Sequence, residues 1–417
     1  MGAAGAGNLP MHLLDLRCSE CDHAHPTDVW QSLCTACHAP LSARYDLEAA
    51  GAALRDGAHR RRPKGMWRWR ELLPLPAGEE PVTLGEGDTP LLEAPRLAAD
   101  LGVARLTVKD EALNPTGSFK ARGMSAAVTM ARHLGATTLC APSAGNAGGA
   151  LAAYGARAGI PVVLALPTDV PRSHRLEGEV HGATVHFVEG TIADCGRFLA
   201  GKRARDEDGA GAWTDLSTLK EPWRLEGKKT MGLELAEQLG GELPDAILYP
   251  TGGGTGLLGL AKAFDEMRTI GLLPADRPLP RLYAIQAAGC APIVNALVAR
   301  EDEARVPDAP HTVASGLRVP TPVAHRWILR AVRESGGGGL AIEDGELVEG
   351  SDRIARREGI FSAPEGGALV AALARLLASG AIERSEHVLL LSTGTGLKYG
   401  ECWEPGHPLC PPGEGRR

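Results

Sequence analysis

The sequence predicts an α/β protein whose parallel sheets are covered by helices, with a small cysteine-based module ahead of them. Three observations carry this expectation. Short apolar runs at 106–109, 138–141, 161–166, 246–249, 281–285 and 387–391 each lead through turn residues into alanine-rich helical stretches. Strands alternating with helices in this way build parallel sheets buried on both faces. Aromatic residues make up only 4% of the chain while hydrophobic residues make up 44%, so the core must be mainly aliphatic. Finally, Cys18 and Cys21 are followed a dozen residues later by Cys34 and Cys37.

Two CxxC pairs at that separation form two tight knuckles whose four thiolates can surround zinc tetrahedrally. A zinc-ribbon-like module is therefore expected over 1–45, with a structural metal held by Cys18, Cys21, Cys34 and Cys37. The remaining cysteines have no partner spacing and read as small hydrophobes or surface thiols. A linker and the start of the main body are expected over 46–95, opening on a helix at 46–54, and the catalytic region over 96–417. The basic segment 59–70 interleaves tryptophans with arginines, a pattern also found in nucleic-acid patches. The net charge of −7 favours instead a segment that clamps the module to an acidic body, and argues against a general nucleic-acid binder. No run is long and apolar enough to span a bilayer, since the best candidate, 150–167, is broken by Arg157. Without a secretory pattern at the N-terminus, a cytoplasmic enzyme is expected.

In parallel sheets, ligands sit beyond the carboxyl ends of the strands, and three loops there carry chemistry. The loop 114–123 runs through Ser118 into a helix reaching to about 134, with Lys120 in the first turn. A lysine beside the positive end of a helix dipole is easier to deprotonate, as an imine-forming amine must be. The loop 143–149, with Ser143, Ala144, Gly145, Asn146, Gly148 and Gly149, precedes a helix expected to begin near 150. Its backbone amides suit a carboxylate, and the Asn146 side chain can reach a ring oxygen. The third loop, 250–256, opens a helix expected over 257–267, and its glycines suit phosphate oxygens. Gly254, Gly256 and Gly259 match a dinucleotide fingerprint, but the next strand ends in Gln286 rather than an acid. A cofactor monophosphate is therefore favoured over a dinucleotide. At the end of 387–391, Thr393 places a neutral hydroxyl where it can meet a pyridine nitrogen.

Together these residues resemble the fold type II pyridoxal-phosphate enzymes, the tryptophan synthase β-like group, and within it the threonine synthases. Segments 84–91, 224–230, 286–292 and 358–361 share the resemblance, as does the end of the ribbon at 41–47, so that it extends from about 16 to 398. It implies two three-layer parallel-sheet domains, the smaller at about 120–230, and a homodimer. It further implies pyridoxal 5′-phosphate carried by Lys120, with Asn146 on its ring oxygen. Gly252, Gly253, Gly254, Thr255 and Gly256 would hold its phosphate, and Thr393 would face its ring nitrogen. Ser143, Ala144 and Gly145 would bind the carboxylate of a small amino acid.

The implied reaction is conversion of O-phosphohomoserine and water to L-threonine and phosphate. A β-eliminating or β-replacing enzyme, such as a serine/threonine dehydratase or a cysteate synthase-like phosphoserine enzyme, is the alternative. Threonine synthases usually carry an acid after the lysine, where this chain has Ala121, and polar phosphate-clasping residues where it has Leu219 and Glu221. A phosphorylated substrate needs cations, because a dianion cannot be desolvated unpaired. Arg122, Lys220 and Arg224 are the candidates, although Arg122 could instead pair with Glu111.

Overall fold

The computed structural model describes residues 12–205 and 213–404. The chain opens with an antiparallel three-stranded sheet of β1 (Leu13–Cys18), β2 (Ala24–His25) and β3 (Leu41–Tyr45), with β1 central. Helix α1 (Leu47–Arg55) follows, and the Asp46 side chain caps it by accepting the Ala49 amide at 3.0 Å. After β4 (Leu91–Glu93), α2 (Pro95–Leu101) and β5 (Arg105–Asp110), helix α3 (Lys120–His133) carries the chain into a second lobe. That lobe holds β6 (Thr138–Pro142), α4 (Asn146–Ala158), β7 (Val162–Pro167), α5 (Arg172–Val180), β8 (Thr184–Val188), α6 (Ile192–Arg205) and β9 (Trp213–Asp215). Its four strands form a wholly parallel sheet in the order β8-β7-β6-β9.

Helix α7 (Trp223–Gln238) returns the chain to the first lobe. There β10 (Ala246–Pro250), α8 (Thr255–Thr269), β11 (Arg281–Ala287), α9 (Pro292–Ala299), α10 (His325–Glu334), β12 (Gly338–Ile342), α11 (Asp344–Glu358), α12 (Pro364–Ala378) and β13 (His387–Ser392) follow. The resulting six-stranded sheet has the order β12-β11-β10-β13-β5-β4, parallel except for the edge strand β4. Period-2 alternation places Ile247 and Tyr249 of β10 in one core and Ala246 and Leu248 in the other. The central strands are apolar on both faces for this reason. The chain is thus of the fold type II architecture, with helices on both faces of parallel sheets and a cysteine module in front.

The module is not a loose appendage. Leu13, Leu16, Leu41 and Tyr45 share one core with Val128 of α3 and Leu151 of α4. Polar ties reinforce it: Lys262 donates to the Ala43 carbonyl at 2.7 Å and Arg330 to that of Ser19 at 2.7 Å. Beneath Tyr45, Glu226 and Glu266 enclose Lys229 and Lys262 at 2.8–2.9 Å. The basic segment is built into the body as well. Trp67 donates to Ser125 at 2.8 Å, Trp69 stacks on His59, and Arg62 and Arg68 pair with Glu71, Asp88 and Glu237. The aromatic faces that would stack on bases therefore lie inside the protein. Among the described residues, no helix is long and apolar enough to cross a membrane.

Candidate active site

Strand β10 lies between β11 and β13, so successive connections diverge to either side of it. A crevice opens where strand order reverses like this, and the loops after β10 and β13 face each other across it. Lys120, Asn146, the Gly252–Thr255 loop, Thr393 and Glu365 line one narrow cleft there.

Lys120 is the first residue of α3, where the sequence places it. The loop before it is pinned by the Phe119 amide, which donates to the Thr393 carbonyl at 3.0 Å, and by Thr395, whose amide donates to Gly117 at 3.0 Å. Burial lowers the Lys120 amine to about 7, and the Arg224 charge pushes the same way, while Glu365 opposes them. A substantial fraction of this amine is free base at neutral pH, the form that can attack a carbonyl.

Helix α4 starts at Asn146, not near 150. The two glycines read as loop belong to its first turn, where they serve packing: a Cβ on Gly149 would overlap the Glu177 carboxylate of α5. Asn146 faces Gly394, and its Oδ1 is buried without a hydrogen-bond partner. The Ser143 hydroxyl accepts the amides of Gly145 (3.1 Å) and Gly148 (2.8 Å) and donates to the Gly145 carbonyl, so it shapes the loop from within. Helix α8 likewise begins two residues before expectation, at Thr255. Gly254 precedes it at φ 77°, a left-handed conformation open to glycine. The amides of Thr255, Gly256 and Leu257 lack intrahelical acceptors, the Leu258 amide being the first to find one at Gly254, and they form an anion seat.

The three candidate cations part company. Arg122 is fully buried, bonded to Glu111 at 2.7 and 2.8 Å and to Glu234 at 2.6 and 2.7 Å. Its fork is saturated, so the pairing with Glu111 replaces the substrate role first considered. Lys220 sits partly buried in the turn before α7, and neither it nor Arg224 is among the residues that line the cleft. Arg224 is 1% exposed, and its Nη1 donates to the Leu216 carbonyl at 2.8 Å. Its Nε and Nη2 have no hydrogen-bond partner, although its charge is felt at Lys120. Glu221, which looked ill-placed beside a phosphate, caps α7 by accepting the amides of Trp223 (2.7 Å) and Arg224 (3.1 Å). Burial pushes this carboxyl up to about 7.

Arg122→Met is expected to destabilise the protein by about 3–5 kcal/mol, because it strands two buried carboxylates. Urea denaturation reads the loss. Burial alone would raise Glu234, but Arg122 and Lys109 outweigh it and hold the carboxyl at about 2. A carboxylate depressed in the folded state contributes stability above its unfolded value, lost as pH falls toward 2.

The comparisons with known proteins agree with this geometry. Residues 82–394 match the family model described as pyridoxal-phosphate dependent enzyme. The threonine synthase of Methanosarcina acetivorans is 36% identical over 384 residues, 92% of each chain. That of Methanocaldococcus jannaschii is 35% identical over 383 residues, again 92% of each. The chain belongs to the threonine synthase family of pyridoxal-phosphate-dependent enzymes. Among solved structures, maize serine racemase superposes with a TM-score of 0.62 at 20% identity, covering 76% of this chain and 92% of its own. An L-serine ammonia-lyase from Rhizomucor miehei gives 0.63 at 19%, covering 78% and 100%. Both likenesses show the fold.

The residues present fit this family's cofactor. The anion seat at α8 suits its phosphate, Lys120 suits its aldehyde, and the unpartnered Asn146 Oδ1, Ser118 Oγ and Tyr249 hydroxyl leave polar capacity around the cleft. The cleft is narrow, about 30 Å³, with Phe119 among its lining side chains. A cavity of about 1030 Å³ lies instead between the cysteine module and helices α8 and α10. None of the catalytic loops borders it.

Sequence reasoning missed Glu365, the carboxylate that lines the cleft. Its Oε1 accepts Tyr399 (2.5 Å) and the Gly316 amide (2.9 Å), while its Oε2 is buried without a partner. Burial pushes its carboxyl up. The available signal was an acid in the first turn of a helix, directly after the 358–361 segment.

Proposed function

We propose that this enzyme converts O-phosphohomoserine and water to L-threonine and phosphate. The observation that carries the reading is the half-unpaired Arg224 guanidinium, buried at the start of α7 where its charge acts on Lys120, a receptor for an anionic leaving group. The relatives that cover 92% of this chain are threonine synthases, which supports it. Pyridoxal phosphate, when bound, supplies the electron sink that makes protons beside the amino carbon removable. Asn146 and Thr393 orient the ring, and the Ser143–Gly145 loop meets the substrate carboxylate through the Ala144 amide, since those of Ser143 and Gly145 donate to the Ala165 carbonyl and to Ser143 Oγ. Lys120, once free, takes the Cα and then the Cβ proton as general base and later returns protons as general acid. Arg224 holds the γ-phosphate as its bond to carbon breaks, after which water adds at Cβ.

Phosphate release from O-phosphohomoserine, measured beside O-phosphoserine, tests the assignment. Preferred turnover of O-phosphohomoserine with threonine as product is expected. Deamination of threonine or serine with no turnover of phosphorylated substrates would replace the reading with a dehydratase.

The four thiols of Cys18, Cys21, Cys34 and Cys37 converge with all sulfurs within 4.8 Å of one another. Tetrahedral zinc with Zn–S near ~2.3 Å needs sulfurs about 3.8 Å apart, so the donor set fits a structural zinc. One zinc per chain is expected by elemental analysis, and chelation is expected to loosen the ribbon before it touches catalysis. Chelation that stopped turnover with the ribbon intact would instead make the metal catalytic.

A further inference from the structure

Lys228, one turn beyond Arg224 on α7, is 0% exposed. Its stem passes between α3 and α8 where both present glycine: a Cβ on Gly123 would stand 3.0 Å from its Cε, and one on Gly259 3.4 Å from its Cβ. A side chain at Gly123 would press on this stem, and one at Gly259 would lie in contact with it. At its end, the Nζ donates to Thr255 Oγ1 at 3.3 Å and lies 4.2 Å from the Phe119 ring centroid. Lys120 Nζ lies 4.5 Å from the same centroid. Among the described residues Lys228 has no carboxylate in ion-pair contact, whereas Lys109 has one and Lys229 and Lys262 have two each.

A buried lysine without an acid is costly unless its charge is matched. Thr255 is the first residue of α8 and part of the anion seat. We propose that Lys228 is the cation that pairs with the cofactor's phosphate, reaching it beside Thr255. The proposal rests on the cofactor assignment and not on which amino acid is the substrate. Burial, the Lys120 charge and the Arg224 charge all press the Lys228 amine well below the ordinary lysine range. An incoming phosphate dianion is the counter-charge that restores its proton. The cradle of amides alone would hold phosphate through dipoles. A lysine adds a full charge where water is excluded, and such charge-assisted contacts are the strong ones.

The test uses the full-length apoenzyme and two probes that lack an aldehyde, so Lys120 cannot capture them: pyridoxine 5′-phosphate and pyridoxine. Their dissociation constants give the contribution of the phosphate as a ratio. In Lys228→Met and Lys228→Gln this preference is expected to fall about 10- to 100-fold. Affinity for pyridoxine itself should stay within about twofold, and the melting temperature of the apoenzyme should hold or rise, since an unpaired buried amine has been removed. An unchanged preference in both variants would overturn the proposal, as would equal losses for both probes, which indicate a collapsed site. Failure of both variants to fold would make Lys228 structural and overturn it too. Should the parent show no preference for the phosphorylated probe, the cofactor assignment itself falls, a result distinct from the others.

Discussion

Replacing Lys120 with alanine is expected to lower turnover by about 10³-fold or more and to abolish the borohydride-trapped cofactor adduct. Two losses combine in that one change. The amine is the attachment point, and it is also the group at the start of α3 placed to move protons at the substrate. General acid–base catalysis alone contributes about 10²–10⁴-fold, and groups acting as a unit do not divide additively. The environment adds a pH signature. Burial first, and Arg224 second, bring the amine to about 7. Capture of the cofactor by the parent apoenzyme should therefore speed up as pH rises through about 7 and level off above it, because only the neutral amine attacks. Absorbance near the imine band follows this directly. A reduced adduct mapped to Lys228, the other buried lysine against Phe119, would remove Lys120 from its role.

The parts legible in the sequence are those whose chemistry is written in neighbouring residues. A glycine loop between a strand and a helix, or a lysine at a helix start, announces itself over six or seven positions, and so do paired cysteines. The strands found from sequence were largely those buried along their length, such as 246–249 and 387–391. Strand β8, partly exposed along its length, and β12, which begins on two glycines, carry no such run. Helix starts were misplaced at α4 and α8 because glycines read as loop lie inside the helices, where facing side chains leave no room for a Cβ.

Charged partners were the least legible. Arg122 could be offered to substrate only because Glu234, 112 residues away, is invisible from its surroundings. Ala121, where the family resemblance leads one to expect an acid, is fully buried in a core shared by α3 and α4, so a carboxylate there would be desolvated. Lys228 lay within a segment noted only for its likeness to relatives. What distinguishes it is its end point at Thr255, a tertiary fact.

Arg224→Ala is expected to raise KM for O-phosphohomoserine about 10- to 100-fold, the worth of a charge-assisted hydrogen bond or two. Arg122 and Arg224 are both buried arginines, but only Arg122 has its donors spent. Glu221 Oε1 stands 4.0 Å from the Arg224 Nε, and its Oε2 is given to the α7 cap, so Nε and Nη2 stay available. A change that removes ground-state binding shows in KM with the cofactor's absorbance intact. A second readout separates this from a general loosening of α7. Because the Arg224 charge helps hold the Lys120 amine down, its removal should shift the pH dependence of cofactor capture upward, toward the ordinary lysine range. Arg224→Lys, which keeps the charge and loses the fork, should leave that pH dependence in place yet still weaken substrate binding, since a point charge does not reproduce a planar donor pair. An Arg224→Ala enzyme that bound O-phosphohomoserine as the parent does would clear Arg224. The phosphate would then have to be met by Lys220, the remaining candidate cation whose ammonium is not committed to a buried carboxylate.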